Sequence, residues 1–132
     1  KASNEHERLV VNLAKYFLRH GYEPLESAES FDVAVHGNAN VICEVKSITK
    51  QNCKGQLRKA VVQLFEYSWL HNDLFSSEPM KIIVCNKDPR TFLPDSYMDF
   101  IHHLGLHLFW EDQGNFQTSD NSSLSTLTIP LN

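Results

Sequence analysis

The sequence predicts a mixed α/β sandwich built as a single domain. Three observations indicate this class: two long stretches with helical periodicity, alternating strand-like segments between them, and a short apolar run typical of a buried central strand. The 132 residues are 42% hydrophobic and 21% charged, which is ordinary for one globular domain with its own core. These proportions disfavour disorder and a fibrous repeat, and no apolar run approaches the roughly 20 residues needed to cross a bilayer.

The first third of the chain predicts a helix followed by a β-hairpin. Residues 4–20 carry apolar side chains at intervals of three and four, and Gly21 ends this helix. Residues 22–27 predict a weak strand, residues 31–36 a stronger one, residues 36–39 a turn, and residues 40–47 the returning strand. In the returning strand, two alternating sets face opposite sides: Val41, Cys43 and Val45 on one side, and Ile42, Glu44 and Lys46 on the other.

The remaining elements alternate between helix and strand. A polar loop at 48–53 leads to a second helix over 54–75, with Phe65 and Trp69 counted on its apolar side. Residues 81–86 predict a central strand buried on both faces. A third helix over 95–104, a strand over 106–110, and a Ser/Thr/Asn-rich tail after Asp112 follow. The tail, residues 113–132, is expected to be weakly structured, with one edge strand near 124–129.

The charge and cysteine content indicate which partners and which cellular compartment are expected. The net charge is −4, so general coating of nucleic acid by charge alone is not expected. Positive charge is nevertheless concentrated between residues 43 and 60, and the predicted nucleic-acid-binding residues are Lys50, Lys54, Arg58 and Lys59. The three cysteines lack CxxC spacing, which favours a reducing cytoplasm over a disulfide scaffold or a zinc ribbon. Because the chain begins with Lys1, we interpret it as a fragment of a longer protein.

The hairpin brings two carboxylates and a lysine together. Glu44 and Lys46 are two residues apart on one strand, so they share a face, and Asp32 lies across the hairpin from them. Charged groups of this kind are costly to bury unless they serve one another or a cation. Two carboxylate oxygen donors beside an open face suit Mg²⁺, which keeps several of its waters. The sequence therefore predicts a magnesium site with a neighbouring lysine.

This pattern carries a resemblance to a known family. Asp32, followed after a hairpin by Glu44-Val45-Lys46, resembles the PD-(D/E)XK nuclease superfamily, and Phe31 stands where the naming proline would be. Glu7 on the preceding helix is similar to an additional acidic residue of that superfamily. Gln63 and Tyr67 resemble the Q-xxx-Y feature of its RecB-type branch, and the whole resemblance covers about residues 4–86.

The resemblance implies a restriction-endonuclease-like α/β/α sandwich with a central mixed β-sheet. It implies that Asp32, Glu44 and the backbone carbonyl of Val45 ligate Mg²⁺, for which Mn²⁺ substitutes, and that Lys46 positions the attacking water. Glu7 would act on the metal through water, unless the adjacent His6 takes that place, as a first-helix histidine often does in RecB-type enzymes. Gln63 and Tyr67 would brace the site or contact the DNA backbone.

The expected function is a metal-dependent deoxyribonuclease that cuts without sequence preference on its own. Its expected setting is a restriction, repair or phage-defence protein whose further domains or partner protein find the target. The expected substrate is DNA, no membrane association is expected, and a homodimer stays open. The main alternative is a non-catalytic nucleic-acid-binding or scaffold member of the same fold, and another is a metal-independent RNA nuclease.

Simpler interpretations of the site residues also stay open. Glu7 would then only interact favourably with the dipole of its helix. Gln63 would lie on the helix surface and Tyr67 at the rim of the core. The lysine and arginine run has an alternative as an ordinary solvated face.

Overall fold

The structure, a computed structural model, describes residues 4–118, which form one open mixed sheet with helices packed against it. The α-helices are α1 (Asn4–Arg19), α2 (Cys53–Leu70) and α3 (Asp95–His103). The strands are β1 (Pro24–Leu25), β2 (Val33–Val35), β3 (Val41–Lys46), β4 (Met80–Cys85), β5 (Leu106–Asp112) and β6 (Asn115–Thr118).

The order of the strands in the sheet follows their order in the sequence. Strands β1 to β3 are antiparallel, β3 to β5 are parallel, and β6 pairs antiparallel with β5. Helix α2 connects β3 to β4, and α3 connects β4 to β5, as parallel pairs require a crossover. The carboxyl-terminal ends of β3, β4 and β5 therefore lie together at one edge of the sheet.

The sheet packs against helices on both faces, with one hydrophobic core on each face. On one face, α1 packs Leu9, Leu13 and Phe17 against the odd-numbered residues of β3. On the other face, α2 and α3 pack against Ile42 and the matching residues of β4 and β5. The predicted mixed α/β class is thus confirmed, and so is the predicted alternation of faces along β3. Strand β4, which lies between β3 and β5, is the buried central strand that the apolar run predicted.

Helix α1 ends as predicted. Gly21 adopts a φ of 86°, and the N–H of Tyr22 donates to the carbonyl of Phe17 at 3.0 Å. Glycine thus ends the helix in the left-handed backbone conformation, which residues with a Cβ adopt only with strain. The hairpin of β2 and β3 is also present, with Val33 opposite Cys43.

Helix α2 is shorter than predicted and its outward face is more apolar than expected. It ends at Leu70 instead of residue 75, and a short 3₁₀ turn over Asn72–Leu74 follows. The bend lets Phe75 enter the core, where it is 8% exposed. The assignment of Phe65 and Trp69 to the buried side is wrong, because their side chains are 44% and 76% exposed.

The carboxyl-terminal part of the described chain contains an edge strand earlier than the sequence predicts. The tail from residue 113 is predicted to be weakly structured or to add an edge strand, and β6 forms a hairpin with β5 at the edge of the sheet. Its turn places Gln113 at φ 52° and Gly114 at φ 83°, the pattern of a type I′ turn, which glutamine rarely begins. The strand predicted near 124–129 lies outside the described residues. Within residues 4–118, none of the helices is long and apolar enough to span a membrane.

Candidate active site

The hairpin places the carboxylates of Asp32 and Glu44 side by side. Asp32 directly precedes β2, and continuing the pairing of Val33 with Cys43 by one residue sets it opposite Glu44. The N–H of Asp32 donates to Glu44 Oε2 at 3.2 Å, and the N–H of Val45 donates to Asp32 Oδ2 at 2.8 Å. Both carboxylates are therefore positioned by backbone groups of the hairpin, which gives them little rotational freedom.

Lys46 completes this cluster at the end of β3. Its Nζ lies 4.0 Å from Glu44 Oε1, and the two side chains are 10% and 3% exposed. The twofold alternation of β3 directs both side chains toward the α2 face of the sheet, while Val45 packs in the core beneath α1. Keeping both side chains charged so far from water has a large desolvation cost, so this contact contributes little to stability by itself.

Burial and like charge shift the protonation of the cluster. Burial, and after it the negative charge of the neighbouring Asp32 carboxylate, raise the pKa of Glu44 to about 8, although the Lys46 ammonium acts in the opposite direction. Burial lowers the pKa of Lys46, and the positive charge of Lys59 acts in the same direction, although the two carboxylates oppose it. Near neutral pH, Glu44 therefore holds a proton unless a cation displaces it.

These residues open onto a polar cavity of about 570 Å³. The lining consists of His6, Ser30, Asp32, Glu44, Val45, Lys46, Ser47, Thr49, Asn52, Gln56, Lys59 and Gln63. Because the side chain of Val45 is buried in the core on the opposite face, this residue presents its backbone to the cavity. The cavity is thus bounded by the hairpin, the loop after β3 and one side of α2.

Some of the residues predicted on α2 and in the loop before it line the cavity, and others do not. Gln63 lines the cavity, and its Oε1 is buried with no hydrogen-bond partner among the described residues. Lys59 lines the cavity as well. Tyr67 is not part of the lining and packs against the core between α2 and the sheet. The other three predicted nucleic-acid-binding residues are exposed and outside the cavity lining: Lys50, Lys54 and Arg58.

On α1, His6 rather than Glu7 contacts the carboxylate cluster. The Nε2 of His6 lies 3.2 Å from Asp32 Oδ1, and His6 lines the cavity. Glu7 is exposed and lines a second cavity of about 400 Å³, which shares His6 and Asp32 with the first. The sequence contained a signal for this choice, because His6 is three and seven residues before the buried Leu9 and Leu13 and so shares their helix face.

Sequence patterns did not indicate the residues that shape the loop after β3. The side chain of Asn86, just after β4, accepts from the N–H of Ile48 at 2.7 Å and donates to its carbonyl at 3.3 Å. Asn52 accepts from the N–H of Thr49 at 2.7 Å. The Asn86 amide extends the pairing of β3 with β4 by one residue, and the Asn52 amide closes a local turn in the loop that follows Lys46. The contact between Asn86 and Ile48 depends on the register between β3 and β4, which local patterns do not specify.

The donor set fits magnesium better than zinc. Among residues 4–118, no group of three His, Cys, Asp or Glu side chains is arranged to hold a metal ion. A structural or catalytic zinc site normally needs three or four such ligands, whereas Mg²⁺ binds through one or two carboxylates and keeps its waters. The adjacent Asp32 and Glu44, with a raised pKa at Glu44, form a pair whose repulsion such a cation would relieve.

Comparisons of the chain with protein-family models, curated proteins and solved structures found no match. The functional assignment therefore rests on the geometry of this cavity and on the residues that line it.

Proposed function

We propose that this domain is a magnesium-dependent nuclease that hydrolyses DNA phosphodiester bonds and has a restriction-endonuclease-like fold. One observation carries the proposal: the carboxylates of Asp32 and Glu44 and the ammonium of Lys46 share one polar cavity at the carboxyl-terminal end of β3. Supporting the fold, an antiparallel hairpin leads into a parallel β3–α2–β4 unit that has α1 on the opposite face.

In this proposal, Asp32, Glu44 and the backbone carbonyl of Val45 hold Mg²⁺ or Mn²⁺. The metal, when bound, supplies an activated water and a Lewis acid for the scissile phosphate. The N–H of Val45 keeps the Asp32 carboxylate in place, and His6 fixes its other oxygen. Glu44 releases its proton when the cation binds, because positive charge favours the carboxylate form.

Lys46 is the residue that acts on the reacting phosphate. Its lowered pKa makes proton exchange with the attacking water more favourable near neutral pH, and its charged form donates hydrogen bonds to a phosphoryl oxygen. Across the cavity, Lys59 supplies positive charge for a neighbouring phosphate. The buried Oε1 of Gln63 would accept a hydrogen bond from the attacking water.

The net charge of the domain indicates how the DNA target would be recognised. The net charge of −4 opposes tight binding of DNA by this domain alone, so further domains or a partner protein would supply target recognition. Cleavage by the isolated domain is therefore expected to lack sequence preference, as in the nuclease module of a restriction, repair or phage-defence protein. Three buried free cysteines suit a reducing cytoplasm, which is the proposed location.

The decisive experiment is cleavage of supercoiled plasmid in millimolar Mg²⁺ or Mn²⁺ by wild type, Lys46→Met and Lys81→Met. Both lysines lie on strands and are 8% exposed, so the two methionine variants remove one buried ammonium each while keeping the aliphatic stem. Lys81 lies at the other end of the sheet and is outside the cavity lining. We expect Lys46→Met to lower the cleavage rate by about 100-fold or more and Lys81→Met to leave it within about twofold.

Three results would contradict the proposal. Cleavage that persists in EDTA excludes the metal-dependent mechanism. Equal activity of Lys46→Met and wild type excludes the assigned site. A folded wild type that cuts neither plasmid nor single-stranded oligonucleotides with either metal excludes catalysis by this domain.

A further inference from the structure

Helix α2 carries an apolar stripe on the side that faces solvent. Val62, Phe65 and Trp69 are 65%, 44% and 76% exposed, and Arg58 lies one turn before Val62 on the same side. We call these four residues the α2 stripe. Single exposed apolar residues are common, but a contiguous row of this size is typical of an interaction surface.

The α2 stripe is separate from the parts of α2 that build the fold and the cavity. The helix packs into the domain through Leu57, Ala60 and Leu64, which are fully buried. It contributes Lys59 and Gln63 to the cavity. Within residues 4–118, the Lys81 ammonium lies over the ring of Phe65, but Val62 and Trp69 stay mostly exposed, so the packing of the described domain leaves the stripe largely uncovered.

We propose that a second copy of this chain covers the α2 stripe, with the two α2 helices packed antiparallel across a twofold axis. The four positions are spaced by four, three and four residues, which is the spacing of a two-helix seam. Antiparallel pairing of such a seam places Val62 against Phe65 of the partner subunit, and the reverse. The same twofold places Arg58 against Trp69 of the partner subunit.

Charge complementarity decides both the occupant and the orientation. The exposed face of α2 is basic in its first half, at Lys54 and Arg58, and aromatic in its second half, at Phe65 and Trp69. A parallel pair would set Arg58 against Arg58, which is repulsive. The antiparallel pair sets each guanidinium over an indole ring, a favourable cation–π contact. One symmetric arrangement therefore satisfies every position of the stripe, as a self-complementary interface requires.

The size of the stripe predicts a weak dimer. Four side chains on one helix cover less than the roughly 800 Å² per partner of a standard stable interface. Association should therefore depend on protein concentration. The proposed dimer is independent of the proposed nuclease activity, since the two use different sides of α2.

Sedimentation velocity over a wide concentration range tests the dimer. We expect the mass to rise from 15.2 kDa toward twice that value, and Trp69→Glu to keep the protein monomeric at every concentration. Arg58→Glu should weaken association by about tenfold or more. Leu18→Glu on α1 is the matched control, because Leu18 is also an exposed apolar helix residue, at 55%, and it should dimerise like wild type. Circular dichroism verifies that each variant is folded.

The orientation has its own measurement. The three native cysteines are buried, so a spin label attaches selectively to an introduced Lys54→Cys. In the antiparallel dimer, the two labels are separated by about 25–30 Å along the helix axes, whereas a parallel pair brings them side by side. A protein that stays monomeric at all concentrations, or whose dimer survives Trp69→Glu, overturns the proposal, and a short label distance overturns the antiparallel arrangement.

Discussion

The two ends of strands β3 and β4 carry the same residue types in different environments. Lys81 lies near the amino-terminal end of β4 and Lys46 is the last residue of β3, and both lysines are 8% exposed. Lys81 pairs with Glu78, whose side chain is 76% exposed, and lies over the ring of Phe65. Lys46 is next to Glu44, whose side chain is 3% exposed. The lysine is thus buried at both ends, but its carboxylate partner is buried only at the carboxyl-terminal end, where the partner is Glu44.

An asparagine at each end extends this comparison. At the amino-terminal end, the Asn40 amide forms hydrogen bonds with the hydroxyls of Ser76 and Ser77, each at 2.9 Å. At the carboxyl-terminal end, Asn86 holds the backbone of Ile48, next to the cavity. Both ends are therefore fixed by side-chain amides. A buried glutamate next to a half-buried aspartate, beside an open cavity, distinguishes a candidate site from an ordinary sheet end.

The largest expected effect is the loss of cleavage and Mg²⁺ binding when Asp32, at the cavity end of the sheet, is changed. Asp32→Asn keeps an oxygen that accepts from the N–H of Val45 but removes the negative charge, so the fold should persist. We expect cleavage to fall by about 100-fold or more and Mg²⁺ affinity by at least about tenfold, because the lost group is a direct ligand in the proposed site. Plasmid cleavage and titration calorimetry measure the two effects.

Asp88→Asn provides the control for that variant. Asp88 also accepts from a backbone N–H, that of Arg90 at 2.9 Å, but it is outside the cavity lining. It should cut and bind Mg²⁺ like wild type. Equal losses in both variants would mean that negative charge in general, and not the Asp32 position, supports activity.

The next effect is on stability as a function of pH. The folded protein holds the Glu44 proton to about pH 8, whereas an unfolded glutamate releases it near 4.5. The folded state therefore binds more protons in this window, and the free energy of unfolding should fall as pH rises through it, by at most about 1.4 kcal/mol per pH unit. Glu44→Gln should lack this loss. Urea denaturation from pH 5 to pH 9 measures both proteins.

The matched variant for this test is Glu78→Gln, at the exposed carboxylate of the other end. It should keep the pH dependence of wild type, and Mg²⁺ should reduce that dependence in wild type by favouring the Glu44 carboxylate. A wild type as stable relative to Glu44→Gln at pH 8 as at pH 5 would contradict the raised pKa.

The smallest effect compares the two asparagines. Asn86→Ala and Asn40→Ala each remove hydrogen bonds from partly or fully buried groups, so both should lower the free energy of unfolding by about 1–3 kcal/mol. Only Asn86→Ala should also lower cleavage by the folded protein, because its loop follows Lys46 and lines the cavity. Denaturation and cleavage assays on the same preparations test this, and a similar loss of cleavage in both variants would contradict it.

Features set by short-range patterns were predicted from the sequence. The cap at Gly21 needs only a positive φ, and the two faces of β3 need only the twofold alternation of a strand. The approach of Asp32 to Glu44 follows from the hairpin between them, a local structure with a short connection. The β6 hairpin was missed because Gln113 at positive φ is an unusual way to begin its turn.

The sequence by itself determined the α/β class, the central strand, and the grouping of two carboxylates with a lysine. The helix face that His6 shares with Leu9 was already legible in the sequence. Only the tertiary structure decided that Lys59 and not Arg58 lines the cavity, and that Asn86 holds the loop after β3. It also decided that Trp69 is exposed. These outcomes depend on how each helix is rotated against the sheet and on the register of parallel strands. Both are set by packing between segments far apart in the chain, which local periodicity does not encode.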